Sequence, residues 1–307
     1  MNHKNVDLDY LINDGDYILH KTVREETPIY DTVPSVIKET KEYLMVNKPS
    51  SMPVHACGNF KFNTLQCILE NELNYQDKPK DDKSQKEYKG AIKTVHRLDR
   101  QTSGVVFFAK TEKASNTFRK LMLDNKISKV YFARVRGDFS KVEAIKDNII
   151  EVRNMIYCVS NMDAFWECSD EKDIKFEFRT KAKEAITKFK FKFYDPASDM
   201  SVIKCYPLTG RTHQIRVHLK HLGFPIANDQ MYGKNEKTIL NDGGKPFDDE
   251  DFKNSYQNDQ EDGKKNFMML WLHAYRYTIP AFMGDDAVHS DEKSLKVKTE
   301  KPDWAQE

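Results

Sequence analysis

Phe189, Phe191 and Phe193 alternate with Lys188, Lys190 and Lys192. Successive side chains of a strand point to opposite faces, so this segment predicts a strand with one apolar face and one wet face. Sheets with a wet face are ordinarily antiparallel, because helices cover parallel sheets on both sides. We read the lysine face as solvated, with contact to phosphate as the alternative. Residues 43–46, 105–109, 130–137, 202–206 and 267–272 also read as strands. In 130–137 the alternation sets Tyr131, Ala133 and Val135 against Phe132 and Arg134. Helices are fewer. Thr111 is a predicted N-cap for a helix with Ala114, Phe118, Leu121 and Met122 on one face. Thr212 is a predicted cap for a second helix, with Ile215, Leu219 and Leu222 as its apolar stripe and Gly223 and Pro225 as its stop. Many strands with few, separate helices imply an α+β fold, its mostly antiparallel sheet flanked by helices.

The 307 residues allow one large domain or two modest ones. Residues 1–40 lack strong periodicity and read as an N-terminal arm punctuated by Gly15 and Pro28. Residues 41–284 form the expected body. It is interrupted by polar insertions near 76–89 and 241–266. Residues 285–307 read as a charged tail that frays. The longest apolar run, 267–272, is far too short to span a bilayer. Asp7, Asp9, Asp14 and Asp16 argue against a secretory signal or an acid-poor transit peptide. Five cysteines, an odd number with no Cys-x-x-Cys pair, imply free thiols in a reducing compartment rather than disulfides or zinc. His213, His218 and His221 lack a zinc spacing. The cytoplasm is the default compartment, with nucleus and mitochondrion open. A net charge of only +1 first argues against a polyanionic partner. Residues 240–263, however, hold eight carboxylates against Lys245 and Lys253, so the remainder is distinctly basic and compatible with nucleic acid.

The stretch 96–104, His-Arg-Leu-Asp-Arg-Gln-Thr-Ser-Gly, places one carboxylate, Asp99, in a loop ahead of the strand at 105–109. His96, Arg97 and Arg100 surround it with potential donors, while Thr102, Ser103 and Gly104 supply turn chemistry. Taken alone this is a surface turn with an ion pair. The string resembles the His-Arg-Leu-Asp-x-x-Thr-Ser-Gly signature of the RluA family of pseudouridine synthases. Four further segments resemble the family in its order. They are Lys48-Pro49, the run Lys129 to Gly137 (Lys-x-Tyr-x-Ala-x-Val-x-Gly), the run Gly210 to His218 (Gly-Arg-Thr-His-Gln-Ile-Arg-Val-His), and Leu272-His273-Ala274. The runs 49–58 and 222–229 are similar to the eukaryotic branch containing the tRNA pseudouridine-32 synthases. A complete S4 RNA-binding domain, frequent in the family, is not evident in residues 1–40.

The resemblance implies the pseudouridine synthase catalytic fold and an isomerase that converts uridine to pseudouridine in structured RNA. The implied target is tRNA, at anticodon-loop uridine 32. It implies no cofactor, no metal and no membrane. Asp99 is the implied catalytic aspartate, Arg211 its paired arginine and Tyr131 the active-site tyrosine. His96, Arg97, Arg100, Thr102, Lys129, Thr212 and His213 are candidate substrate-binding residues. His96 and Arg97 read as shaping the loop, and His213 and His218 as bonding locally. Read without the family, Arg211 is a surface salt bridge of little value and Tyr131 a core tyrosine. The same activity on mRNA or rRNA is one alternative, and a catalytically silent RNA-binding or ribosome-assembly protein of this fold is another. A carboxylate glycosidase would need a second catalytic carboxylate that the sequence does not place.

Overall fold

The computed structural model describes residues 9–11, 13–17, 23, 26–29, 32–76, 89–143, 145–233, 270–280 and 294–306. Both insertions expected near 76–89 and 241–266 lie largely or wholly outside these residues. One sheet organises the rest. Its strands are β1 (Ser35–Glu39), β2 (Tyr43–Lys48), β3 (Lys93–Thr94), β4 (Ser103–Ala109), β5 (Ser128–Arg136), β6 (Ile149–Ser160), β7 (Phe165–Ser169), β8 (Lys183–Asp195), β9 (Met200–Pro207), β10 (Leu272–Pro280) and β11 (Ser294–Lys298). The order is β1-β2-β4-β10-β5-β9-β8-β6-β7, with β11 on β10 and β3 on β4. Among the described residues only β4 and β10 pair in parallel, through His273 with Ser103 and Ala274 with Gly104. The helices are α1 (Leu65–Glu72), α2 (Glu112–Leu123), α3 (Phe176–Arg179) and α4 (Gln214–His221). The fold is α+β with a mixed, mostly antiparallel sheet.

Register assigns the two faces. Tyr131 of β5 lies opposite Cys205 of β9 and Ala274 of β10, on the face that the helices cover. Phe132 lies opposite Lys204 and His273, on the other face. Helix α2 follows its N-cap Thr111, whose side chain accepts the Ala114 N–H at 3.1 Å. It buries Phe118 against Tyr43 and Phe107. Helix α4 packs over β8, where Gln214 Nε2 donates to Ile186 O and to Thr187 Oγ1, and His218 Nδ1 bonds the same hydroxyl. β4 and β10 diverge after their short parallel contact. His96, Phe107, Phe118 and Tyr277 fill that fork with rings 5–6 Å apart. Gly104 is required at its apex. Its φ is +114°, and a Cβ there would lie 2.3 Å from the Ala274 carbonyl oxygen.

Several sequence expectations need correction. Thr212 does not cap α4. His213 stands at the cap with φ +53° and no side-chain cap bond. Gln214 instead closes the turn, its Oε1 accepting from Arg211 N–H at 2.9 Å and Thr209 Oγ1 at 2.7 Å. Arg211 therefore lies in the turn that leads into the helix, three residues before Gln214. The strand expected at 267–272 begins only at Leu272; Leu270 and Trp271 are buried ahead of it, and 267–269 lie outside the described residues. The C-terminal segment is not frayed over 294–306. β11 pairs with β10, and Trp304 stacks on Trp271 at 6.3 Å. Leu295 and Val297 alternate with Lys296 and Lys298, a period-two signal that the charge of the tail masked. The N-terminal arm supplies β1, and its Glu26 carboxylate accepts the N–H groups of Lys61, Phe62 and Asn63. Elements β6, β7 and α1 went unread, because polar residues interrupt their apolar positions.

Candidate active site

The loop between β3 and β4 carries Asp99. It is closed by Thr102 N–H donating to Asp99 O at 3.0 Å. Beneath it Lys48, wholly buried, donates from Nζ to Pro49 O, Met52 O and Arg100 O at 2.9, 2.9 and 3.1 Å. A single ammonium thus ties the 49–52 turn to the Asp99 loop. Burial first, then the Arg100 charge, lowers the Lys48 pKa to about 7, while Asp99 opposes the shift. Ser50 Oγ adds a bond to Gln101 O at 2.6 Å.

Asp99 Oδ2 receives Arg216 Nη1 at 3.3 Å and lies 3.8 Å from His213 Nε2. Arg216 is the third residue of α4, in its first turn. Its Nε and Nη2 grip Asp229 at 2.8 and 2.9 Å, a two-point bond that fixes the guanidinium plane. Asp229 Oδ1 also accepts the N–H groups of Met231 and Tyr232 at 3.1 Å. The Tyr232 ring lies 4.9 Å under the guanidinium. Burial works against the Arg216 charge, yet hydrogen bonding to Asp229 and the charges of Asp229 and Asp99 hold its pKa above the usual range. Tyr232 OH meets His213 Nδ1 at 2.8 Å. Burial lowers the His213 pKa, with Asp99 opposing, so its ring is neutral near neutral pH.

Tyr131 faces the same space from β5. Its hydroxyl lies 2.7 Å from Tyr277 OH. Burial, then Tyr277, raises the Tyr131 phenol well above its ordinary range, and burial pushes Tyr277 to about 12. Both rings are therefore protonated at neutral pH. Lys129 donates to Thr209 O at 3.0 Å, and burial with the nearby Arg211 charge lowers its pKa to about 8. These groups line a cavity of about 330 Å³ that also includes His96, Arg97, Thr102, Arg211, His213 and Tyr277. That volume suits a small organic ligand. His96 Nε2 accepts the Phe107 N–H at 3.0 Å, and burial lowers its pKa to about 3, so it acts as a neutral wedge behind the cavity. The buried Thr102 hydroxyl has no hydrogen-bond partner among the described residues and can serve a ligand.

The structure departs from the sequence reading at three residues. The arginine on Asp99 is Arg216, whereas Arg211 donates its Nε to Glu184 O at 2.9 Å on the exposed rim. Arg211 lies in the turn before α4 and Arg216 inside the helix, so only the latter points down to the loop. Arg100 does not line the cavity; its guanidinium lies 5.6 Å from the Phe60 ring. Thr212 does not line it either. The sequence reading assigned no role to Asp229, Tyr232 or Tyr277. Asp229 closes the run 222–229, a carboxylate after the short apolar stretch Pro225-Ile226-Ala227.

Among the described residues no group of His, Cys, Asp and Glu is placed to hold a metal, and no helix is long and apolar enough to cross a membrane. A family model described as RNA pseudouridylate synthase matches residues 42–221, more than half of the chain. The chain belongs to this family. It is 32% identical to the mitochondrial tRNA pseudouridine(32) synthase of Saccharomyces cerevisiae, over 99% of this chain and 66% of that protein. It is 35% identical to the human pseudouridylate synthase RPUSD2, over 76% of this chain and 37% of that one. The chain thus spans less than two thirds of either relative's length. In fold it is similar to human RNA pseudouridylate synthase domain containing 4, with a TM-score of 0.58, 20% identity, and 88% and 89% of the two chains covered.

Proposed function

We propose that this RNA pseudouridylate synthase family member isomerises uridine to pseudouridine in structured RNA. The observation that carries the reading is the Asp99 carboxylate, presented to the cavity by Arg216, beside the buried ring of Tyr131. Pseudouridine formation breaks the N1–C1′ bond, turns the base and rejoins it through C5. Asp99 supplies the carboxylate that either adds to C1′ or takes the 2′ proton. Arg216 holds that carboxylate in one orientation, so its position is set before the substrate arrives. Tyr131 offers a ring on which the freed base can stack, and the Tyr131–Tyr277 pair offers a path for the C5 proton. The target base must first leave its stack, which costs least in a loop.

Within this class we propose tRNA as the substrate, at uridine 32, on the strength of the yeast relative's name and the runs 49–58 and 222–229. Cytoplasm remains the proposed compartment, with nucleus and mitochondrion as the alternatives that fractionation separates. Mapping pseudouridine in total RNA, with and without the protein, tests substrate and activity together. Loss of one anticodon-loop pseudouridine is expected; an unchanged map defeats the reading.

A further inference from the structure

The sheet face opposite the cavity carries a band of cations that the reaction does not use. Lys188, Lys190 and Lys204 share this face with Phe132, because Lys190 pairs with Lys204 and Lys204 with Phe132. Arg276 and Lys298 continue it across β10 and β11, where they are directly opposed. Burial, then Lys192, Lys301, Arg276 and Lys190, depress the Lys204 pKa, so each of these four cations lies close enough to Lys204 to act on it. Among the described residues Lys190, Lys192, Lys204, Arg276, Lys298 and Lys301 make no ion pair; Glu151 is matched by Lys188 and Arg153. Clustered like charges that no ion pair matches cost folding free energy, so a solvated face should interleave them with acids. Glu151, Arg153 and Glu184, at the far end on β6 and β8, show that interleaving.

Aromatic rings lie among the cations. Tyr206 is paired with Lys188, and Phe132 lies 5.4 Å below the Lys204 ammonium, edge-on to Tyr275. At the β11 end the band opens into a second cavity of about 550 Å³, lined by Lys298, Lys301, Asn47, Ser103 and Thr299, with Glu300 between the two lysines. Lys298 and Lys301 belong both to the band and to this cavity. Cations spaced along a sheet, with the half-buried Tyr206 ring among them and a cation-flanked recess at one end, match the chemistry of a sugar–phosphate backbone.

We propose that this back face is a second RNA-binding surface, which holds the phosphate backbone of a segment remote from the target nucleotide. The inference rests on the reading that the protein works on RNA, and it assigns affinity to a surface away from the catalytic cavity. It gives the protein affinity for long RNA independent of the sequence near the target, since phosphate contacts carry no base information.

The test uses the full chain with Lys190→Glu, Lys192→Glu and Lys298→Glu combined, and a matched triple Lys→Gln variant. Thermal melts verify folding of both. Binding is measured by fluorescence anisotropy with a uridine-free RNA hairpin, which cannot be a substrate, across a salt series. The Glu variant should weaken binding by roughly tenfold or more at about 0.1 M salt. The slope of log K against log salt should flatten by about two to three units, one per lost phosphate contact. The Gln variant should lie between it and the wild type. Turnover of a short uridine-containing stem-loop should stay within about twofold, because none of the three residues lines the catalytic cavity. Unchanged affinity and slope would make the band a solvated face and overturn the proposal. An equal loss on hairpin binding and stem-loop turnover would also overturn it, by showing one continuous site. Failure of all forms to turn over uridine, with the binding differences intact, would defeat the proposed reaction and leave this surface standing.

Discussion

The Arg216 guanidinium bonds Asp229 through Nε and Nη2 and reaches Asp99 through Nη1. Lysine cannot reproduce this fork although it keeps the charge. Arg216→Lys should lower single-turnover pseudouridine formation by roughly a hundredfold, since misplacement by an ångström costs about that much. Arg211→Lys should stay within a few-fold of wild type, because Arg211 bonds only a backbone carbonyl at the rim. The opposite ranking would move the Asp99 partner back to Arg211. Asp99→Asn should reduce tritium release from 5-tritiated uridine RNA by about a thousandfold or more, while RNA binding is largely kept. Wild-type release from that variant would remove Asp99 from the mechanism. Asp229→Asn should weaken the fold as well as the site. It leaves a buried guanidinium with half its charge partners, and removing one member of a buried pair costs about 3–5 kcal/mol. Urea melts of that variant measure this directly.

At the scale of elements, the Asp99 loop depends on strands far from it in sequence. β4 and β10 meet in parallel for two residue pairs, and Ser103 Oγ bonds His273 Nδ1 at 2.8 Å across that joint. His273 Nε2 then meets Thr299 Oγ1 at 2.6 Å, so the C-terminal segment braces the start of β4. That segment is pinned by β11 and by Trp304 on Trp271, which in turn lies 4.8 Å from the Arg134 guanidinium. Trp304→Ala should cost about 3–5 kcal/mol, the usual loss for a buried tryptophan. A melting temperature unchanged from wild type would show that 299–306 contributes nothing to the fold.

At the scale of the whole molecule, acid should destabilise the fold through buried histidines. Burial lowers His218 and His273 each to about 4, and His96 to about 3, from an ordinary 6.5. The unfolded chain therefore binds more protons than the folded one below pH 6.5. The stability these neutral rings contribute is complete above about 6.5 and is lost as pH falls toward 4 and then 3. Melting temperature should fall across that window, and His218→Gln should shrink the fall relative to wild type. An identical pH profile in the variant would mean that carboxylates alone carry the acid response.

Local rules made much of this protein legible in its residues. The Phe/Lys alternation of β8, the cap at Thr111, the loop before β4 and the strand bearing Tyr131 all depend on neighbours within a few positions. Period, capping and turn chemistry act over that range. The α+β class followed from the same signals. The pairing of Asp99 with Arg216, 117 residues away, did not. Two arginines stand five residues apart in one segment, and only the entry angle of α4, set by the Gln214 turn, decides which reaches the loop. The order of the strands, the burial of the charged C-terminal segment and the separation of a catalytic face from a basic one are likewise decided by long-range register. A chain cannot specify these contacts locally, because each exists only once distant strands have paired.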